Sequence, residues 1–279
     1  MNTDQSPQRV SILGVEIDAV TLAEARRRIA DLIVQARLTD AQGTAGPSAG
    51  TATATAQPLS AQPPGGAHVV TANPEIIMEA RRHPEFAEVL RRATLVLPDG
   101  IGVVWASRLL RRPVPERVPG IELTEALLEA AARRGWTVFF LGAARGVAED
   151  AAAAARRKFP GLRVVGTHHG YFSAEEEPAV VRQVIKAGPD ILFVALGAPR
   201  QELFIARHRG TWNVPVAIGV GGSLDVLAGL ARRAPAWMRS LGLEWFYRLL
   251  REPRRFGRML ALPRFAALVL LDAVRRNLL

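Results

Sequence analysis

The chain has 279 residues, 49% of them apolar, with a net charge of +10 and no cysteine. That length is enough for a full α/β core plus an appendage, and the missing cysteines remove disulfides, thiolate metal sites and a cysteine nucleophile together. No stretch reaches the length of a membrane span (the best candidate, 265–271, is closed off by Arg264 and Asp272), and the first residues carry no apolar signal core, so a cytoplasmic protein is expected.

In chain order, residues 10–13 and 15–17 read as a short strand pair around Gly14. Asp18 or Thr21 is placed to cap a helix over 22–35, whose apolar face carries Leu22, Ala25, Ile29, Leu32 and Ile33. Residues 39–67 are almost all Ala, Thr, Gly, Pro, Ser and Gln, a composition that cannot offset its ordering entropy; a disordered insertion within the domain is expected there. Residues 68–72 form a strand whose exit is Thr71-Ala72-Asn73-Pro74-Glu75. Thr71 and Asn73 share one side of it, and Pro74 stands where a helix begins.

Helices over 75–81 and 84–91 precede a strand at 94–97, which ends in Pro98-Asp99-Gly100 and leads to a helix at 101–110. After the basic, Pro-broken loop 111–119, a helix at 123–134 ends at Gly135, followed by a strand at 137–141 and an Ala-rich helix at 147–158. A strand at 162–165 is followed by His168 and His169, taken as diverging loop residues, and then by a helix at 175–187. The run 191–196 is apolar throughout, as expected of a strand buried on both faces of a parallel sheet. It exits through Gly197-Ala198-Pro199-Arg200-Gln201-Glu202, with Gln201 opening the next helix and expected to point into a ligand site. The last strand, 214–218, runs into the turn Gly219-Val220-Gly221-Gly222-Ser223. Strands and helices alternating in this way define an α/β fold, a single Rossmann-like domain with a mostly parallel sheet over 1–234.

From 235 to 279 the pattern becomes strand-free, helical, basic and aromatic. Residues 232–279 hold eleven arginines against three acids, so the tail carries most of the excess charge. Trp237, Trp245, Phe246, Tyr247, Phe256 and Phe265 interleave with Arg, as suits an anionic membrane interface. A packed helix with a solvated face, and nucleic-acid binding, are the alternatives; the apolar residues are too dense for the latter.

Polar groups gather at strand exits, where ligands bind in open α/β sheets: Thr71, Asn73, Asp99, Arg117 just beyond, Gln201 and the 219–223 turn. One carboxylate with amide and hydroxyl partners fits group transfer from a nucleotide-activated donor, the carboxylate taking a proton from the attacking hydroxyl. Each element also has a plain structural reading: Asp99-Gly100 as a turn, Asn73 as a helix cap, Gly221-Gly222 as close packing. There is no P-loop, no complete dinucleotide fingerprint and no Asp-x-Asp pair.

Thr71-Ala-Asn73-Pro-Glu75, Pro98-Asp99-Gly100-Ile-Gly102, Arg117-Val-Pro-Gly120, Phe139-Phe-Leu-Gly142, Gly197-Ala-Pro199-Arg-Gln201-Glu202, Val220-Gly-Gly222, Arg233-Ala-Pro235 and Glu244-Trp245-Phe-Tyr-Arg248 occur in one order. That ordered set resembles the WecG/TagA/CpsF family of bacterial glycosyltransferases. The resemblance implies an inverting, metal-independent transferase without a cofactor. It would move a sugar, most often N-acetylmannosamine, from a UDP donor to a GlcNAc on a polyprenyl diphosphate, for teichoic acid, common antigen or exopolysaccharide synthesis. It also implies Asp99 as base and Thr71, Asn73 and Gln201 as pocket residues; beside it, the strand-exit reading adds Arg117 as a substrate contact and Gly221 and Gly222 at the nucleotide diphosphate. Arg248, Arg255 and Arg258 of the tail would contact the carrier diphosphate, and the tail would dock on the inner face of the cell membrane. A different UDP-sugar, or a non-catalytic nucleotide-sugar-binding protein, are the rival readings; homo-oligomerisation is left open.

Overall fold

The structure is a computed structural model that describes residues 8–43, 65–251 and 256–278. The strand pair is present as β1 (Arg9–Ile12) and β2 (Val15–Asp18), antiparallel to each other. The helix after it, α1, runs Leu22–Gly43, longer than its apolar periodicity suggested. No Gly or Pro interrupts it before Gly43, and Thr39 Oγ1 bonds back to the Gln35 carbonyl at 3.0 Å. Thr21 caps it: Glu24 N donates to Thr21 Oγ1 at 3.2 Å while Thr21 N donates to Glu24 Oε2 at 2.8 Å, a capping box. Asp18, the other candidate cap, is instead fully buried, accepting from Val96 N at 2.7 Å and Arg9 Nε at 3.1 Å. The expected insertion therefore overlaps ordered elements at both ends, residues 39–43 in α1 and Ala67 in the next strand; 44–64 lie outside the described residues.

Six strands build the main sheet: β3 (Ala67–Ala72), β4 (Leu95–Pro98), β5 (Thr137–Gly142), β6 (Arg163–His168), β7 (Ile191–Ala195) and β8 (Val216–Gly219). Their order is β4-β3-β8-β7-β5-β6 and every pairing is parallel. All residues of β3, β4, β7 and β8 are buried, which is why β4, β7 and β8 read as apolar runs rather than alternating ones, while β3 also buries His68 and Thr71. Alternation is still present across the two faces. Val69, Phe140, Phe193 and Ile218 point into one core with α1, α5 (Gly120–Arg134) and α6 (Val147–Lys158). Val70, Ala72 and Val96 point the other way, into a core with α2 (Pro74–Ala80), α3 (Pro84–Arg91) and α4 (Ile101–Leu109). On that same side Leu141, Leu192 and Val194 pack with α7 (Glu177–Ala187) and α8 (Arg200–His208).

Helix α5 begins at Gly120, three residues before its expected start, because Pro119 already supplies an extended N-cap. Strand β6 runs on to His168, which pairs with Leu141. The two histidines do not diverge as expected: His168 Nδ1 meets the His169 carbonyl at 2.7 Å and the rings stand 4.6 Å apart. Beyond β8 come α9 (Ser223–Leu227), α10 (Ala236–Ser240), α11 (Glu244–Arg251), α12 (Phe256–Met259) and α13 (Ala261–Leu278). Phe265, Val269 and Ala273 of α13 are buried in the core of α2 and α4. Phe265 thus belongs to that core, whereas Trp237, Leu241 and Leu250 are each more than 60% exposed. Among the described residues no helix is long and apolar enough to cross a membrane.

Candidate functional site

The carboxyl ends of β4, β3, β8 and β7 lie side by side, so four strand exits open onto one face. At the β3 exit, Thr71 is buried and its hydroxyl donates to the Gly219 carbonyl at 3.2 Å, tying β3 to β8. Two residues on, Asn73 caps α2: Ile76 N donates to its Oδ1 at 3.0 Å. The cap lies beside the β4 exit. A Cβ built on Gly100 would lie 3.7 Å from Pro74 Cδ and 3.9 Å from Asn73 Cβ. Asp99 sits between these contacts, half-buried, its N–H donating to the Ala72 carbonyl at 2.8 Å. Gly100 has φ of +92°, a left-handed value that turns the chain sharply into α4.

The loop before α5 crosses the same exits. Val118 N donates to the Pro98 carbonyl at 2.7 Å, which brings the loop that carries Arg117 to the end of β4, the strand that Asp99 follows. A Cβ on Gly120 would come 3.3 Å from Thr71 Oγ1, so the residue there must be small. Arg117 is not an isolated cation: Nη1 meets Glu244 Oε2 of α11 at 3.2 Å. Glu244 is also 3.9 Å from Arg233, which pairs with Glu122 of α5 at 2.6 Å. This charge cluster fastens the start of the tail to the pocket wall, a contact that no local motif announced because its members are far apart in sequence.

Gln201 is only 3% exposed, and both ends of its carboxamide are bonded. Its oxygen accepts from Gly197 N and from Gly221 N, both at 3.1 Å, and its nitrogen donates to Glu202 Oε1 at 2.7 Å. It links the β7 and β8 exits rather than projecting into open space. The Gly221 amide, expected to face a diphosphate, is bonded to Gln201; Gly222 is the N-cap of α9. Glu202 was legible only as a first-turn acid, yet it is completely buried, and desolvation pushes its carboxyl up to about 7. Arg255, and the side chains of Arg248 and Arg258, lie outside the described residues. No group of three or more His, Asp or Glu side chains among the described residues stands together in a way that could hold a metal ion.

A half-buried carboxylate at a strand exit, on the same sheet edge as an arginine loop and two glycine turns, suits transfer of an activated group to a hydroxyl; the layout is that of an α/β transferase. Residues 45–278 match the Glycosyl transferase WecG/TagA/CpsF family, and the chain belongs to that family, as the ordered motifs implied. It is 43% identical over 205 residues to the N-acetylglucosaminyldiphosphoundecaprenol N-acetyl-beta-D-mannosaminyltransferase of Bacillus spizizenii, covering 74% of this chain and 79% of that protein. The enzyme of the same name from Bacillus subtilis is 40% identical over the same shares, and that from Staphylococcus aureus 41% identical over 71% of this chain and 77% of its own length.

Proposed function

We propose that this glycosyltransferase moves N-acetylmannosamine from UDP to the GlcNAc of an undecaprenyl-diphosphate-linked acceptor, with inversion at the anomeric carbon. The observation that carries the reading is the convergence of Thr71, Asn73, Asp99 and Arg117 over adjacent strand exits, joined by the Val118–Pro98 and Thr71–Gly219 hydrogen bonds. The names of the relatives support the sugar and the acceptor. In this reading Asp99 takes the proton of the acceptor hydroxyl, the freed oxygen bonds the anomeric carbon, and the bond to the donor diphosphate breaks on the opposite face. UDP leaves carrying the electron pair. Thr71 and Asn73 orient the sugars, and Gln201 acts by holding the two glycine-bearing loops. The turn at Gly221–Gly222 borders the nucleotide diphosphate, while Arg117, with Arg248, Arg255 and Arg258, offsets phosphate charge. No step is assigned to a metal ion, so EDTA leaves the rate unchanged.

The acceptor is lipid-borne in this scheme, and the exposed apolar residues Trp237, Leu241 and Leu250 suit docking on the inner face of the cell membrane. Replacing all three with Glu abolishes sedimentation with anionic liposomes; undiminished sedimentation would remove the docking role. The reaction itself is tested by UDP release from a panel of UDP-sugars, each with and without a short-chain polyprenyl-diphosphate-GlcNAc. Release with UDP-ManNAc only in the presence of acceptor is expected. Release without acceptor, or with a different sugar alone, overturns the assignment.

A further inference from the structure

The mechanism above leaves one buried acid unused. Glu202 is 0% exposed, its Oε1 accepts from Gln201 Nε2 at 2.7 Å, and its Oε2 has no hydrogen-bond partner. An apolar side chain would fill that space at lower cost, because a buried carboxyl with an unpaired oxygen is a liability to folding. Its geometry offers a reason for its presence. The Gln201 carboxamide has a donor end and an acceptor end, and both loop contacts, Gly197 N and Gly221 N, require the acceptor end. Turned over, the amide would set N–H against N–H twice. With Oε1 unprotonated, an acceptor at position 202 makes the turned-over state unfavourable a third time, since the amide oxygen would then face a carboxyl oxygen. The fit is close: a Cβ on Gly219 would fall 2.7 Å from Gln201 Nε2 and 2.9 Å from Glu202 Oε1, so the pair occupies the space that a side chain at the end of β8 would need.

We propose that Glu202 is a positioning residue for the donor site: it locks the orientation of the Gln201 carboxamide, and through it the spacing of the β7 and β8 exit loops that receive a nucleoside diphosphate. The proposal rests on the function proposed above for those loops. It does not make Glu202 a proton donor or acceptor in the reaction. It assigns the pair Gln201–Glu202 as a unit, in which one member ties the loops and the other fixes which way the tie faces.

Two variants and one readout independent of substrate test it. In Glu202→Gln the side-chain carbonyl still accepts from Gln201, so the KM for the UDP-sugar stays within about twofold of wild type. In Glu202→Leu the acceptor is lost, and that KM rises about tenfold or more with a smaller change in kcat. The melting temperature of the Leu variant changes little, because removal of an unpaired buried acid offsets the loss of the partner of Gln201 Nε2. A purely structural residue would instead lower stability and binding together, and that result sinks the proposal. Amide hydrogen exchange at Gly197 and Gly221, measured without ligand, is faster in the Leu variant and unchanged in the Gln variant. Equal exchange at both glycines in wild type and Leu variant overturns the tie whatever the substrate. Faster exchange in a protein whose wild type releases no UDP from any donor leaves the tie standing and removes the donor-site reading instead.

Discussion

The two ends of the sheet use polar residues in opposite ways. At the amino end they close on one another. Asp190 accepts from Arg37 Nε and Nη2 at 2.6 and 2.7 Å, and from Thr137 N and Oγ1 at 2.6 and 2.8 Å. His68 N and Thr94 Oγ1 pair in the same fashion at the start of β3. At the carboxyl end the bonds run between loops, Thr71 to Gly219, Gln201 to Gly197 and Gly221, Val118 to Pro98, and the half-buried carboxylate Asp99 stands on this same edge. One end is a clasp and the other a frame. The same kinds of residue, an Asp, a Thr and an Arg, appear at both, so residue type alone does not tell a functional edge from a structural one; what the hydrogen bonds connect does.

The comparison breaks most visibly at Asp99. Asp99→Asn keeps the shape and removes the base, so acceptor-dependent transfer falls about a hundred- to ten-thousand-fold, while UDP affinity measured by calorimetry is retained. Asp190→Ala is its counterpart at the other end. The Thr137 N–H loses its partner while Arg37, 45% exposed, returns to water, so stability drops by about 2–3 kcal/mol with kcat of the folded protein unchanged, as read by denaturant melts beside steady-state assays. The hydrogen bonds from Arg37 and Thr137 outweigh burial and hold the Asp190 carboxyl below its ordinary 3.8. Its contribution is therefore complete above pH 3.8 and is lost as pH falls through the lower folded value.

Glu202 has the opposite sign. Burial lifts it from 4.5 to about 7, so the folded protein retains a proton that the unfolded chain releases in between. Stability relative to Glu202→Gln should fall by about 3 kcal/mol as pH rises from 4.5 to 7 and then level off, in melts taken across that range. A flat difference curve would show the carboxyl ionised throughout. The smallest effect belongs to a position away from both ends. Thr21→Ala removes the cap of α1 and costs about 1 kcal/mol, without altering KM or kcat.

Much of this molecule could be read from local sequence because local rules decided it. The apolar run at 191–196 read as a strand buried on both faces, and the alternation of strand and helix read as a parallel sheet, the kind of sheet in which ligands are expected at the strand exits. Thr71, Asn73 and Asp99 were legible as site candidates for the same reason, being the polar residues that follow such runs. Gln201 was found by position but not by role: it was expected in the open pocket, whereas it is buried between loops. Glu202 looked like any acid in the first turn of a helix. The tail's aromatic residues read alike, yet Phe265 is core and Trp237 is surface.

By itself, then, the sequence determined the element order, the sheet type and the family, since each of these follows from residues near one another or from motifs in fixed order. Tertiary structure alone decided that Arg117 meets Glu244, that Asp190 is clasped by Arg37, and that one glutamine joins two loops. Arg117 and Glu244 are 127 positions apart, and Arg37 and Asp190 are 153 apart. Such pairings are fixed by which strands become neighbours in the sheet, and that is settled by the packing of the whole core rather than by any stretch of chain.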